Sequence, residues 1–225
     1  MKYITYNSAC NSARWIALAL AAGAAITTLS ACVPLIVGGA VVGGTLVATD
    51  RRTSGAQLED EGIELRGTNR LREALVERAH VNVTSYNRQV LLTGEVPTEQ
   101  DKVLAEQVVS RVENVQKIVN ELAVMGNTSL VARSSDTLVT GKVRASFVDA
   151  KDLYANSFKV VTERGTVHLM GRVTQREADR ATEIARSVSG VQKVVRIFEV
   201  ISDAELQRTL PDSNKPAATP TPPAN

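Results

Sequence analysis

The sequence predicts an α+β fold built twice, as two tandem modules ordered α-β-β-α-β with three strands laid against two helices in a two-layer sandwich. Three observations predict it. Residues 81–94 (VNVTSYNRQVLLTG) align without a gap on residues 158–171 (FKVVTERGTVHLMG), and residues 112–119 (VENVQKIV) align on 188–195 (VSGVQKVV). Inside each copy the apolar spacing changes from a period of two to a helical period. Between the aligned blocks, each copy places a hydroxyl residue three positions before a carboxylate. Two blocks recurring in one order mark a tandem duplication.

Taken in order, each copy opens on an amphipathic helix. Ile63, Gly67, Leu71 and Leu75 recur every four residues, as do Val139, Val143 and Phe147, with Asp136 as the expected N-cap. Alternating Val81/Val83 and Val90/Leu92 then give two strands joined by a turn at residues 87–89, and Gly165 marks the same turn in the second copy. Thr98 to Asp101 and Thr174 to Glu177 are capping-box patterns that start the second helix. Its buried stripe is Ala105, Val108, Val109 and Val112, matched by Ala181, Ile184, Ala185 and Val188. A last strand carries Ile118, Leu122 and Val124, matched by Val194, Phe198 and Val200. Residues 125–133 read as the linker between copies.

The chain ahead of the repeats has another character. Residues 15–26 (WIALALAAGAAI) form an apolar run of twelve, too short for a span of roughly 20 residues but suited to the core of a secretory signal. Leu29-Ser30-Ala31-Cys32 follows as a lipobox: small residues precede the cut, and the thiol accepts a diacylglyceryl group. Lipid chains contribute ~0.8 kcal/mol per buried CH2, so more than one chain anchors stably. The segment resembles the leaders of bacterial lipoproteins, in which an Asp after the cysteine retains the protein at the inner membrane; Val33 stands there, which implies the outer membrane. Residues 33–48 (VPLIVGGAVVGGTLVA) are apolar and glycine-rich. Gly39 and Gly43 form a GxxxG, but sixteen residues with Pro34 near the start read as a flexible, membrane-hugging linker rather than a dimerising span. Past Ile201 the chain turns polar, and residues 211–225 (PDSNKPAATPTPPAN) hold too little apolar surface to order themselves. The expected organisation is a signal peptide over 1–31, acylated Cys32 with a linker to 58, modules over 59–127 and 135–202, and a disordered Pro-rich tail over 203–225.

Composition narrows the function classes. Of 225 residues, 44% are hydrophobic, 22% charged and only 4% aromatic, so the cores are built from Val, Leu, Ile and Ala. Net charge is +2, which does not suggest nucleic acid. The distribution is uneven: residues 66–124 hold eight basic and eight acidic groups, whereas residues 133–200 hold twelve and eight, a local docking face for an anionic partner. Cys10 falls in the signal peptide, which leaves Cys32 alone and forbids an internal disulfide. His80 and His168 stand apart from any cysteine, so neither structural metal nor cofactor is expected. His168 alternates with Val167 and Leu169 and is expected to face solvent. The chain shows no G-x-S-x-G, no phosphate-binding G-x-x-x-x-G-K-[ST] and no S-x-x-K, and no catalytic residue is assigned. The carboxylate pairs Asp149/Asp152 and Glu177/Asp179 read as surface charges.

The Val-x-Val strand, the glycine-ended strand (Leu92-Thr93-Gly94; Leu169-Met170-Gly171), the capped helix and the closing Val-x-x-Val (Val115 to Ile118; Val191 to Val194) resemble the BON domain. The resemblance covers residues 32–201 and implies a three-stranded mixed sheet in each module. It also implies an envelope protein that binds phospholipid and supports envelope integrity at division and under stress. The residues themselves add a candidate surface. Leu138, Lys142 and Arg144 lie off the Val139/Val143/Phe147 stripe, with Arg133 and Lys151 nearby, so basic groups surround an apolar residue on a helix face. Two classes stay open: a module that binds an anionic phospholipid membrane, and an adaptor whose exposed sheet faces hold an envelope protein partner.

Overall fold

The computed structural model describes residues 36–37, 40–41, 50–76, 79–126 and 128–209. The signal peptide, Cys32, most of the glycine-rich linker and the Pro-rich tail beyond Thr209 lie outside the described residues. Within the linker, Ile36–Val37 and Ala40–Val41 pair as short antiparallel strands.

The first module runs α1 (Ser54–Leu75), β1 (His80–Tyr86), β2 (Gln89–Val96), α2 (Glu99–Ser110), β3 (Lys117–Asn120) and β4 (Ala123–Val124). The second runs α3 (Leu130–Asp149), a 3-10 turn (Ala155–Ser157), β5 (Phe158–Glu163), β6 (Thr166–Val173), α4 (Gln175–Ser187), β7 (Lys193–Val200) and α5 (Asp203–Thr209). In each sheet the hairpin is antiparallel and its second strand takes the closing strand in parallel, giving the orders β1-β2-β3, with β4 also on β2, and β5-β6-β7. The fold class is therefore the one the repeats predict, a mixed sheet under two helices, twice.

Alternation decides which face packs where. Val83, Val90, Leu92 and Val96 point at α1 and α2 and join Ile63, Leu71, Leu75, Ala105, Val109 and Leu122 in one core. Val160, Val167, Leu169 and Val173 form the matching core with Val139, Val143, Phe147, Ala181 and Ala185. Both strand-ending glycines have steric reasons. Gly94 has φ +113°, and a Cβ there would stand 2.0 Å from the His80 carbonyl oxygen; at Gly171 it would stand 2.6 Å from that of Ser157.

Both hairpins turn through two residues with positive φ, Asn87-Arg88 and Arg164-Gly165, the pattern of type I′ turns. Each turn is held by an aspartate of the preceding helix. Asp60 accepts from the amides of Asn87 (2.7 Å) and Arg88 (2.8 Å), and Asp136 from those of Arg164 and Gly165 (both 2.8 Å). Asp136 is thus not the expected N-cap. Its carboxylate is spent on the turn, and α3 starts earlier, where Ser129 accepts from the Ala132 amide. The helix consequently takes in residues 130–133 of the expected linker, just as α1 begins at Ser54 inside the other one. Asp203–Thr209, expected in the disordered tail, form α5, capped by Ser202 and tied by Glu205 to Arg172.

The second face of each sheet is not open. Tyr86, Leu91, Met170 and Ile197 are buried together, with Val119, Val161 and Val195 packed around them. The two sheets lie face to face, so the layers run helix, sheet, sheet, helix. Polar contacts close the rim. Lys159 pairs with Glu64 at 2.6 Å, Asn87 donates to Glu199 at 2.6 Å, and Arg164 approaches Glu95 at 3.4 Å. At one end Arg51 is buried and grips both carboxylate oxygens of Glu177 at 2.8 and 2.7 Å. The neighbouring Arg52 pairs with Asp60 and stacks 4.3 Å over the Tyr86 ring. Burial pushes the Tyr86 phenol up to about 12.

Candidate membrane interface

Helix α3 positions the surface that the sequence singles out. Val139, Val143 and Phe147 fix its inner face on the sheet, and at 3.6 residues per turn Leu138 is carried to the outer face. It is not alone there. Leu130, Val131, Leu138 and Val148 are 77%, 81%, 67% and 70% exposed, an apolar stripe about 27 Å long at 1.5 Å per residue. Leu130 and Val131 are not evident from the sequence, because the helix is capped at Ser129, seven residues before the expected Asp136. Ala145 is exposed between them and Gly141 has open space around its Cα, so no bulky group interrupts the stripe.

Basic groups border it. Lys142, one turn beyond Leu138, is exposed and has no polar partner among the described residues. Arg144 lies on the opposite flank, its guanidinium 3.4 Å from the Val160 carbonyl oxygen. Lys151 is exposed in the turn after the helix. Of the acids at that end, Asp152 is neutralised by Arg180 at 3.1 Å, which leaves Asp149 against three cations. Arg133 does not belong to this group. It is half-buried and leans inward to Glu95, 3.9 Å away, beside His80 and Glu163.

Two further expectations are corrected. His168 is buried, because even-numbered residues of β6 face the first module rather than solvent. Glu177 is no surface charge: it closes a full capping box with Thr174 and holds Arg51. Burial alone would raise its pKa, but the hydrogen bonds from Arg51 and Thr174 outweigh burial and hold the carboxyl below the usual range.

The residues matched by the BON domain are 59–126 and 135–202. They cover both repeats and more than half of the chain. This chain belongs to the BON family. It is 39% identical over 187 residues to Outer membrane lipoprotein DolP of Haemophilus influenzae, covering 82% of this chain and 95% of that protein. Against the 21 kDa hemolysin of Actinobacillus pleuropneumoniae identity is 33%, over 68% of this chain and 79% of the relative. Osmotically-inducible protein Y of Escherichia coli is 28% identical over 67% of this chain and 77% of its own length. Paired BON domains and likeness to DolP along most of both chains make this a dual-BON outer-membrane lipoprotein. No described helix is long and apolar enough to cross a membrane.

The first module offers a different outer face. Leu58 and Leu65 are exposed on α1 and Val76 at its C-cap, but Glu61 and Glu73 sit among them, with Arg72 as an exposed cation between. As the two helix layers lie on opposite sides of the paired sheets, α1 and α3 cannot lie flat on one membrane together. The basic helix is the one suited to an anionic surface.

Proposed function

We propose that this chain is a non-enzymatic lipoprotein, acylated at Cys32, whose second BON module docks on anionic phospholipid through the outer face of α3, and that this docking supports envelope integrity, including at the division site. The observation that carries the reading is the exposed stripe Leu130, Val131, Leu138 and Val148 bordered by Lys142, Arg144 and Lys151. The apolar residues enter the headgroup level while the cations meet phosphate, the arrangement of an interfacial helix. An adaptor working through its sheet faces has less support, since those faces bury each other.

Each cation near an anionic surface contributes about 1 kcal/mol, so the contact is weak and salt-sensitive and relies on the lipid anchor for concentration. The test is sedimentation of the mature chain, with Cys32→Ser to remove the acyl chains, against phosphatidylglycerol and phosphatidylcholine vesicles. Lys142→Glu with Arg144→Glu is expected to weaken binding to the anionic vesicles by about thirtyfold or more. The same pair should lower the melting temperature only slightly, since Lys142 is exposed and Arg144 gives up one long hydrogen bond to the Val160 carbonyl. Unaltered sedimentation would sink the assignment.

A further inference from the structure

The repeat places corresponding residues of the two modules on both sides of their interface, and the two corresponding positions are filled differently. At one position Lys159 crosses from β5, and its ammonium lies 2.6 Å from Glu64 Oε1 and 3.1 Å from the Ser85 carbonyl oxygen. The repeat carries Lys159 onto Asn82, Glu64 onto Thr140 and Ser85 onto Thr162. At this second position Asn82 reaches only Glu163, at 3.3 Å, and Thr140 bonds Thr162 at 2.8 Å. What remains is a cavity of about 310 Å³ lined by His80, Asn82, Arg133, Asp136, Thr140 and Glu163. Asp136 is already committed to the turn amides and Arg133 leans to Glu95. The under-neutralised charge facing this space is therefore the Glu163 carboxylate, and burial beside Glu95 and Asp136 raises its pKa.

The cavity opens onto a strand edge. His80, Asn82 and Glu163 also line a groove of about 890 Å³ between α1, with Leu71 and Leu75, and Val161 of β5. Its floor is β1, the outer strand of its sheet. Residues 81, 83 and 85 turn their amides and carbonyls outward, because alternate residues of an antiparallel strand face the same side. At Ser85 the fold closes that edge itself: Glu64 accepts from the amide at 2.7 Å and Lys159 donates to the carbonyl. The matching edge of β5 is covered at Val160, whose carbonyl accepts from Arg144 at 3.4 Å. The outward groups of Val81 and Val83 have no partner among the described residues, and no Pro, Lys or bulge protects them.

We propose that this groove binds an extended, lysine-bearing segment of a partner protein. Its backbone adds a strand along Val81 and Val83, and its ammonium enters the cavity to pair with Glu163, as Lys159 pairs with Glu64 at the other position. The unpaired strand edge selects an extended backbone, and the carboxylate selects a cation.

The test uses the full chain in detergent micelles and a fluorescent, end-blocked peptide of alternating valine and threonine with one threonine replaced by lysine. Anisotropy is expected to show weak saturable binding, reduced about tenfold when norleucine replaces the lysine. Glu163→Gln should remove the difference between the two peptides while leaving norleucine-peptide binding intact. Asn82→Lys, which supplies the ammonium in cis, should do the same. N-methylation of the edge-facing valine amides should abolish binding. No binding at millimolar peptide, equal binding of the norleucine peptide, or indifference to N-methylation overturns the proposal. So does displacement of the lysine peptide by phosphoethanolamine as effective as by unlabelled peptide, which would assign the cavity to a lipid headgroup.

Discussion

At the scale of single residues, the hairpins depend on two helix aspartates, Asp60 and Asp136, whose reach to the turns the sequence does not announce. Arg88 and Arg164 adopt positive φ without being glycine, a conformation that needs compensation from its surroundings. Asp60 and Asp136 supply it by accepting the turn amides. Asp60 is anchored further by Ser85 Oγ at 2.6 Å and Arg52 at 2.8 Å. Burial opposes ionisation of Asp60, yet Ser85, Arg88, Arg52 and Asn87 together hold its carboxyl below the usual range. Asp136→Ala would leave two turn amides without acceptors, and an unsatisfied buried donor costs ~1–3 kcal/mol. The expected loss is therefore about 2–5 kcal/mol in urea denaturation, with Asp136→Asn losing less because its amide oxygen still accepts one bond. An unaltered midpoint for Asp136→Ala would show that the turn stands without its helix. Nothing in the sequence singles out this role, since an aspartate before an apolar helical stripe carries the same signature whether it caps the helix or reaches across to a loop.

At the scale of elements, most of the architecture was legible. The four-residue spacing from Ile63 to Leu75, the strand alternation and the threonines before α2 and α4 each depend on local patterns, and each stands where those patterns put it. Part of the outer face of α3 was legible for the same reason, through Leu138 and Lys142 set off the core stripe, whereas Leu130 and Val131 lie ahead of the expected start. Arg133 leans inward to Glu95 instead, because proximity in sequence does not give direction on a helix. The short α5 escaped because seven residues that lean on Arg172 carry no stripe of their own. Glu177 shows how an element end can be tied to a distant segment. The first turn of α4 holds an ionised carboxylate whose partner, Arg51, comes from the chain ahead of α1. Arg51→Ala strands that buried charge and is expected to destabilise the fold by about 3–5 kcal/mol, lowering the melting temperature by roughly 10 °C. The pair's contribution is present above the ordinary carboxylate pKa of 4.5 and is lost as pH falls through the lowered native value. The gap between wild type and Arg51→Ala should accordingly narrow in acid, and equal melting at neutral pH would mean that the arginine does not hold Glu177.

At the scale of the whole molecule, the packing of one sheet on the other was not legible. The facing residues mix Tyr86, Leu91, Met170 and Ile197 with His168, Glu95, Glu121 and Glu163, and a strand face with that mixture reads as solvent-exposed until its partner is known. His168 gives the sharpest test of the packing. It is 2% exposed on β6, with Glu121 of the first module 3.9 Å away and Lys193 and Arg164 as its cationic neighbours. Burial holds its pKa below the ordinary 6.5, Glu121 opposes that depression, and Lys193 and Arg164 reinforce it. A histidine kept neutral in the native state binds fewer protons than in the unfolded chain, so its stabilising contribution is complete above about pH 6.5 and declines as pH falls toward the depressed native value. The decline can reach about 1.4 kcal/mol per pH unit within that window. Glu163 acts with the opposite sign, because its raised pKa makes the native state take up a proton first, and the raw pH profile therefore mixes both effects. Comparison of wild type with His168→Gln separates them, since Glu163 is common to both. Urea denaturation at pH 7.5 and 5.5 should show wild type losing more stability on acidification than the variant. A difference independent of pH would mean that His168 meets water in the native state and that the two sheet faces stand apart.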